Sequence, residues 1–128
     1  RREGKDLTIL TIGSTLYTAL KAADKLQADF GLDVEVIDMR FMNPLNYEKI
    51  ISSVKKTGKA IILQEDSLFG GIASDISALI MENCFEQLDA PVKRVASMET
   101  PIPFINQLED QYLSRDKFEG ELLNLMKY

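Results

Sequence analysis

The sequence predicts an α/β domain: a three-layer, mainly parallel open sheet of strand order 2-1-3-4 with helices on both faces. Three observations carry that prediction. Short β-rich apolar runs alternate with stretches whose apolar residues recur at helical spacing. Glycines or capping residues punctuate most junctions. The run "KAIILQ" (Lys59 to Gln64) is apolar enough to be a central strand buried on both sides. Strands alternating with helices close by right-handed crossovers, which covers the sheet on both faces.

Each element has its own signal. "LTILTI" (Leu7 to Ile12) is the first strand, and Gly13-Ser14 follows as turn and N-cap. Leu16, Ala19, Leu20, Ala23, Leu26 and Phe30 mark one helix face, and Gly31 stops that helix. "VEVIDM" (Val34 to Met39) is the second strand. "NPLN" turns the chain, and Asn46 caps a helix bearing Ile50, Ile51 and Val54, which Gly58 closes. "KAIILQ" is the third strand, and Gly70-Gly71 precede the longest helix, from Ile72 to about Leu88. "APVKRVAS" (Ala90 to Ser97) is the fourth strand. "TPIPF" resists regular structure because its prolines remove donors and bias their neighbours towards extended backbone. Helical segments over about Ile105 to Tyr112 and Arg115 to Lys127 finish the chain. There is no internal repeat or linker, so residues 1–128 are expected to form one domain, and the absence of an initial Met suggests a fragment of a longer chain.

Composition excludes several functions. The net charge of −5, with bases scattered among acids, disfavours nucleic acid, which needs a basic face. No apolar run approaches the roughly 20 residues that span a bilayer, and no secretory signal is present. The chain has no histidine and a single cysteine, Cys84, so it lacks the commonest general base and the usual zinc ligands. One cysteine gives no disulfide framework and fits a reducing compartment.

The candidate sites are few. "LQEDSLFGGIASDISALI" (63–80) has the layout of a strand, a glycine turn and a helix start, where phosphates often bind. It lacks the Lys-Ser/Thr of a Walker loop and the three glycines of a dinucleotide fingerprint, and Glu65 and Asp66 stand just upstream. Gly70 and Gly71 are therefore read as a structural turn. Glu65 and Asp66 are adjacent on an extended segment and point apart, which weakens an acid/base pairing. Cys84 falls on the apolar arc of its helix and reads as a buried, inert thiol. That arc is unusually broad, leaving only a narrow polar strip around Asp75, Glu82 and Glu86. Either the C-terminal segments cover the surplus, or Leu79, Met81 and Phe85 lie against another subunit or domain. Ile102 and Phe104, set between prolines, are further candidate anchors on this core or on a partner.

"GKDLTILTIGSTLYTALKAA", "VEVIDMRFMNPLN", "SVKKTGKAIILQED", "GGIASDISALIMENCFEQLDAPVKRV" and "ETPIPF…LED.YL" follow one another in the order of a known family. The chain resembles, throughout its length, the C-terminal transketolase-like domain of the β subunit, or fused β part, of thiamine-diphosphate-dependent 2-oxoacid dehydrogenases. The "GGIASDI…ENCFEQLDAP" block looks closest to the branched-chain (2-oxoisovalerate) type, with pyruvate and acetoin dehydrogenase β subunits as near neighbours. The family usually has Asp where Glu99 stands and often His where Tyr17 stands. The resemblance implies an enzyme that decarboxylates a 2-oxoacid on thiamine diphosphate with magnesium and passes the acyl group to the lipoyl arm of a dihydrolipoyl acyltransferase core. It further implies that the cofactor sits between other domains, and that this domain is an inactive assembly and docking piece. Its partners would be the other domains or subunits and the acyltransferase core, in a bacterial cytoplasm or a mitochondrial matrix. Docking would use carboxylates near the domain's end, with Asp89 and the C-terminal carboxylate at Tyr128 as candidates; the alternative is that Asp89 merely ends its helix in solvent. The reading from a different class is a free-standing α/β module that binds a small ligand between Ser14 and Glu65.

Overall fold

The computed structural model describes residues 1–101, 103–107 and 115–128. Its strands β1 (Leu7–Thr11), β2 (Val34–Asp38), β3 (Ala60–Ser67) and β4 (Lys93–Ser97) form one parallel sheet of order β2-β1-β3-β4. The helices are α1 (Thr15–Phe30), α2 (Tyr47–Thr57), α3 (Ile72–Cys84) and α4 (Arg115–Leu125). The predicted class and strand order are those observed.

Alternation along the central strands builds two cores. Leu7 and Ile9 of β1, with Ile61 and Leu63 of β3, join Ala19, Ala23 and Leu26 of α1 and Phe118, Leu122 and Leu125 of α4. Leu10, Ala60 and Ile62 point the other way, to Ile50 and Val54 of α2 and Ala73, Ile76, Ile80 and Cys84 of α3. One face thus carries α1 and α4, the other α2 and α3. Full burial of a side chain such as Ile61 or Phe118 stabilises the fold by about 1.5–3 kcal/mol.

Two polar clusters tie α2 to the sheet. Thr8 Oγ1 lies 2.8 Å from both Ser53 Oγ and Thr57 Oγ1, all three residues being buried. Beside it, the Glu35 carboxylate is buried on edge strand β2 and is reached by the Lys49 ammonium at 3.2 Å and by the Lys56 ammonium. Burial pushes its pKa up, but the bonds from Lys56 and Lys49 outweigh burial and hold the carboxyl below its ordinary value. An N-terminal arm runs antiparallel along the outer side of β2. Arg2 N–H donates to Val36 O at 3.2 Å, and Val36 N–H donates to Arg2 O at 2.9 Å.

The elements depart from expectation where tertiary contacts intervene. The third strand runs on to Ser67 because β4 pairs with it again at Ser67–Ser97, beyond an irregularity. The fourth starts only at Lys93. The long helix ends at Cys84, not near Leu88, and continues as a 3-10 turn over Phe85–Gln87. There Leu88 packs back on the second core, and Asp89 N–H donates to Gly58 O at 2.8 Å, which pulls the chain off the helix axis. α4 lies on the opposite face from α3, so it does not cover the surplus apolar arc of that helix. The segment expected to be helical over 105–112 falls largely outside the described residues.

Candidate functional site

The strand order reverses between β1 and β3, and the crevice at their carboxyl ends is where open α/β sheets usually take ligands. Ser14 was expected to cap α1, but its backbone is already helical and its hydroxyl makes no capping bond. Ser14 Oγ instead donates to Glu65 Oε1 across the crevice. Thr15 Oγ1 donates to Ile12 O at 2.6 Å and lies 2.6 Å from Thr11 Oγ1, fixing the end of β1 to the first turn of α1.

The glycine turn is organised by Gln64. Its Nε2 donates to Ser67 O at 2.7 Å, and its Oε1 accepts from Ala73 N–H at 2.9 Å. The side-chain oxygen therefore occupies a free amide of α3 that a phosphate would otherwise use. Gly70 has φ 72°, in the left-handed region. A Cβ on Gly71 would lie 2.1 Å from Gln64 Nε2 and 2.6 Å from Ser67 O. Asp66 Oδ1 accepts from Ser67 N–H at 2.8 Å, and Glu99 Oε1 accepts from Phe69 N–H at 3.0 Å. Glu65, Asp66 and Glu99 thus surround the turn with negative charge.

This donor set does not fit thiamine diphosphate or its magnesium. Glu65, Asp66 and Glu99 would repel phosphates at the turn, Gln64 fills the Ala73 amide, and the described residues hold no cluster of three or more His, Cys, Asp or Glu able to grip a metal. Cys84 is buried within the α2–α3 core, its Sγ 3.8 Å from Ile51 O, and burial pushes its thiol pKa up, with Lys55 opposing.

The candidate interface residues are scattered. Leu79 is half-buried and Met81 exposed on α3, and Phe85 is exposed on the 3-10 turn that follows it. Asp89 is exposed and wedged beside Gly58, where an added Cβ would lie within 2.4 Å of its Oδ2. Phe104 is fully exposed, Tyr128 is exposed, and Ile102 lies outside the described residues.

Sequence reasoning missed a different pattern. Tyr17, Phe41, Phe69 and Phe104 each follow the carboxyl end of a different strand, and each is more than two-thirds exposed (71%, 74%, 86% and 102%). The signal was available as an aromatic residue soon after every strand. Next to Phe41 a cleft of about 460 Å³ opens between the end of β2 and α2. At its mouth Asp38 Oδ2 accepts from Arg1 Nε and Arg40 Nε, each at 3.2 Å.

The geometry defines a doubly wound α/β domain with its switch crevice bridged by its own side chains and apolar surface at one edge. The profile described as "Transketolase, C-terminal domain" matches residues 1–117, and the chain belongs to that family. It is 42% identical over 127 residues to acetoin:2,6-dichlorophenolindophenol oxidoreductase subunit beta of Bacillus subtilis (strain 168), covering 98% of this chain and 37% of that protein. To 2-oxoisovalerate dehydrogenase subunit beta of the same organism it is 38% identical over 130 residues, covering 100% of this chain and 39% of the relative. To its pyruvate dehydrogenase E1 component subunit beta it is 44% identical over 117 residues, covering 91% and 35%. The chain thus spans under two-fifths of the length of these relatives. Among solved structures, a split gene transketolase, described as an inactive beta4 tetramer, superposes with TM-score 0.82 at 26% identity, covering 98% of this chain and 41% of that one.

Proposed function

We propose that this chain is the C-terminal assembly and docking domain of the decarboxylating component of a 2-oxoacid dehydrogenase, as a β subunit or a fused β part. Thiamine diphosphate and magnesium are bound elsewhere in the full enzyme, and this domain alone has no turnover. One observation carries the reading: identity of 38–44% across nearly all of this chain to β subunits that are more than twice as long. The "ENCFEQLDAP" block favours a branched-chain 2-oxoacid as substrate. The acetoin and pyruvate relatives match at the same level, so those substrates stand beside it.

The domain's role is to hold neighbours. The structural neighbour described as a beta4 tetramer supports association of like subunits. Leu79 and Met81 on α3 and Phe85 on the turn after it, together with Ile102 and Phe104, supply apolar contacts to other domains. Asp89 and the Tyr128 carboxylate receive the basic binding module of the dihydrolipoyl acyltransferase; exposed charges of this kind act mainly on association rate. The compartment is the bacterial cytoplasm or the mitochondrial matrix, consistent with bacterial relatives and with a mitochondrial one in Dictyostelium discoideum. No helix among the described residues is long and apolar enough to cross a membrane.

Calorimetric titration of the chain with thiamine diphosphate and Mg²⁺ should give no stoichiometric heat. Stoichiometric binding, or oxidative decarboxylation of 2-oxoisovalerate by the chain alone, would overturn the reading. The competing reading, a small ligand held in the crevice, requires the Ser14–Glu65 bond to open.

A further inference from the structure

β4 is the outer strand of the sheet, and between it and α4 lies a cleft of about 400 Å³, large enough for a small metabolite. Val95 and Ser97 of β4 and Lys117, Gly120 and Glu121 of α4 line it. Two of its features serve no purpose in the fold. Ser97 is 3% exposed, yet its Oγ has no hydrogen-bond partner. A buried hydroxyl left unpaired costs stability, and natural folds keep few of them.

Gly120 is the second feature. It stands in the middle of α4, where glycine is among the poorest helix formers. Its backbone is not left-handed, and an added Cβ would meet no atom within 4 Å. Neither turn geometry nor close packing therefore calls for glycine here. Its missing side chain leaves the cleft room.

The polar groups around that room define what would fill it. Glu121 turns towards Lys93, 3.4 Å away, and its Oε2 is buried without a hydrogen bond. An ionised carboxylate only accepts, so this oxygen, with Ser97 Oγ, suits a donor such as an ammonium. Lys117 stands one turn before Glu121 and makes no ion pair among the described residues, so it suits a carboxylate. Leu68, Val95 and Met98 supply an apolar wall. We propose that the cleft between β4 and α4 binds a free aliphatic α-amino acid. Its ammonium is held by Glu121 and Ser97, its carboxylate by Lys117, and its side chain lies against Leu68, Val95 and Met98. The inference goes beyond the assembly reading and uses none of its interface residues.

The test is an NMR titration of the isotopically labelled chain with L-valine and L-leucine up to about 20 mM. Saturable shifts are expected at Ser97, Gly120 and Glu121. Isobutylamine, which lacks the carboxylate, and isovalerate, which lacks the amine, should each bind about tenfold more weakly than L-valine. Ser97→Ala removes the orphaned hydroxyl, and Gly120→Leu fills the cleft with a good helix former. Each should weaken L-valine binding by about tenfold while the melting temperature holds or rises, a combination that a purely structural role would not give. Lys117→Gln, at an exposed position, should weaken binding likewise. Should Gly120→Leu fail to fold, Ser97→Ala and Lys117→Gln decide. The absence of a saturable shift with either amino acid overturns the inference, as does saturation only at residues away from the cleft. Isovalerate binding as tightly as L-valine overturns it too, as does an affinity that survives Ser97→Ala and Lys117→Gln.

Discussion

The side-chain amide of Gln64 occupies the space that a Cβ on Gly71 would need, 2.1 Å from its Nε2. The two residues are mutually required. Gly71 leaves room for the amide, and the amide ties Ser67 O to the Ala73 N–H in the first turn of α3. Gly71→Ala must therefore displace Gln64 or the Ser67 carbonyl, at a cost of about 1–3 kcal/mol. Gly70→Ala meets no atom within 4 Å and costs only the left-handed backbone, about 1 kcal/mol. Urea unfolding of the two variants should rank Gly71→Ala as the more damaging.

Glu35 makes stability depend on acid. Its folded pKa lies below its unfolded one, so the folded state binds the proton less readily. That contribution is fully present above the ordinary carboxylate range and is lost as pH falls through the depressed folded value. Glu35→Gln should lower stability at neutral pH by roughly 2 kcal/mol, because it leaves Lys49 and Lys56 without their partner. It should also flatten the acid limb of the stability curve. Thermal melts between about pH 3 and pH 7 read both effects; an unchanged acid limb would remove Glu35 from the account.

The hydroxyl triad of Thr8, Ser53 and Thr57 is a second polar joint under α2. Thr57 Oγ1 also bonds Ser53 O at 3.2 Å and Lys59 O at 3.1 Å, whereas Ser53 Oγ relies on Thr8. Thr8→Val keeps the shape of the side chain and orphans Ser53, so it should cost about 1–2 kcal/mol in chemical denaturation. The double variant Thr8→Val with Ser53→Ala should recover part of that loss.

Cys84 should be silent in the folded chain. It is fully buried, and burial disfavours its thiolate. Labelling with a thiol-specific disulfide reagent should follow the rate of unfolding and accelerate with urea. Immediate labelling in native buffer would show that the α2–α3 core opens locally.

What the sequence revealed follows from the range of each interaction. β1 and β3 were legible because strands buried on two faces are rich in β-branched and apolar residues, and Asn46 because its bond to Lys49 N–H at 3.0 Å spans three residues. Ser14 sits where a cap belongs, yet its partner, Glu65, is 51 residues away, and no local pattern announces it. Gln64 looked like the last residue of a strand; its work depends on an amide nine residues on, across the turn. The broad apolar arc of α3 drew attention because helical periodicity is easily read. The exposed row of Tyr17, Phe41, Phe69 and Phe104 went unread because it exists only once parallel strands bring four separate turns to one edge.

The pairing of Arg2 with Val36 has a bearing on solubility. A bare outer strand offers unpaired N–H and C=O groups to any extended peptide, and it is a common starting point for sheet-to-sheet aggregation. Here two backbone bonds at the level of Val36 are already taken, and the Arg2 guanidinium pinned to Asp24 and Gln27 holds the cover in place. Growth of the sheet past β2 is blocked by a handful of residues that add nothing to either core.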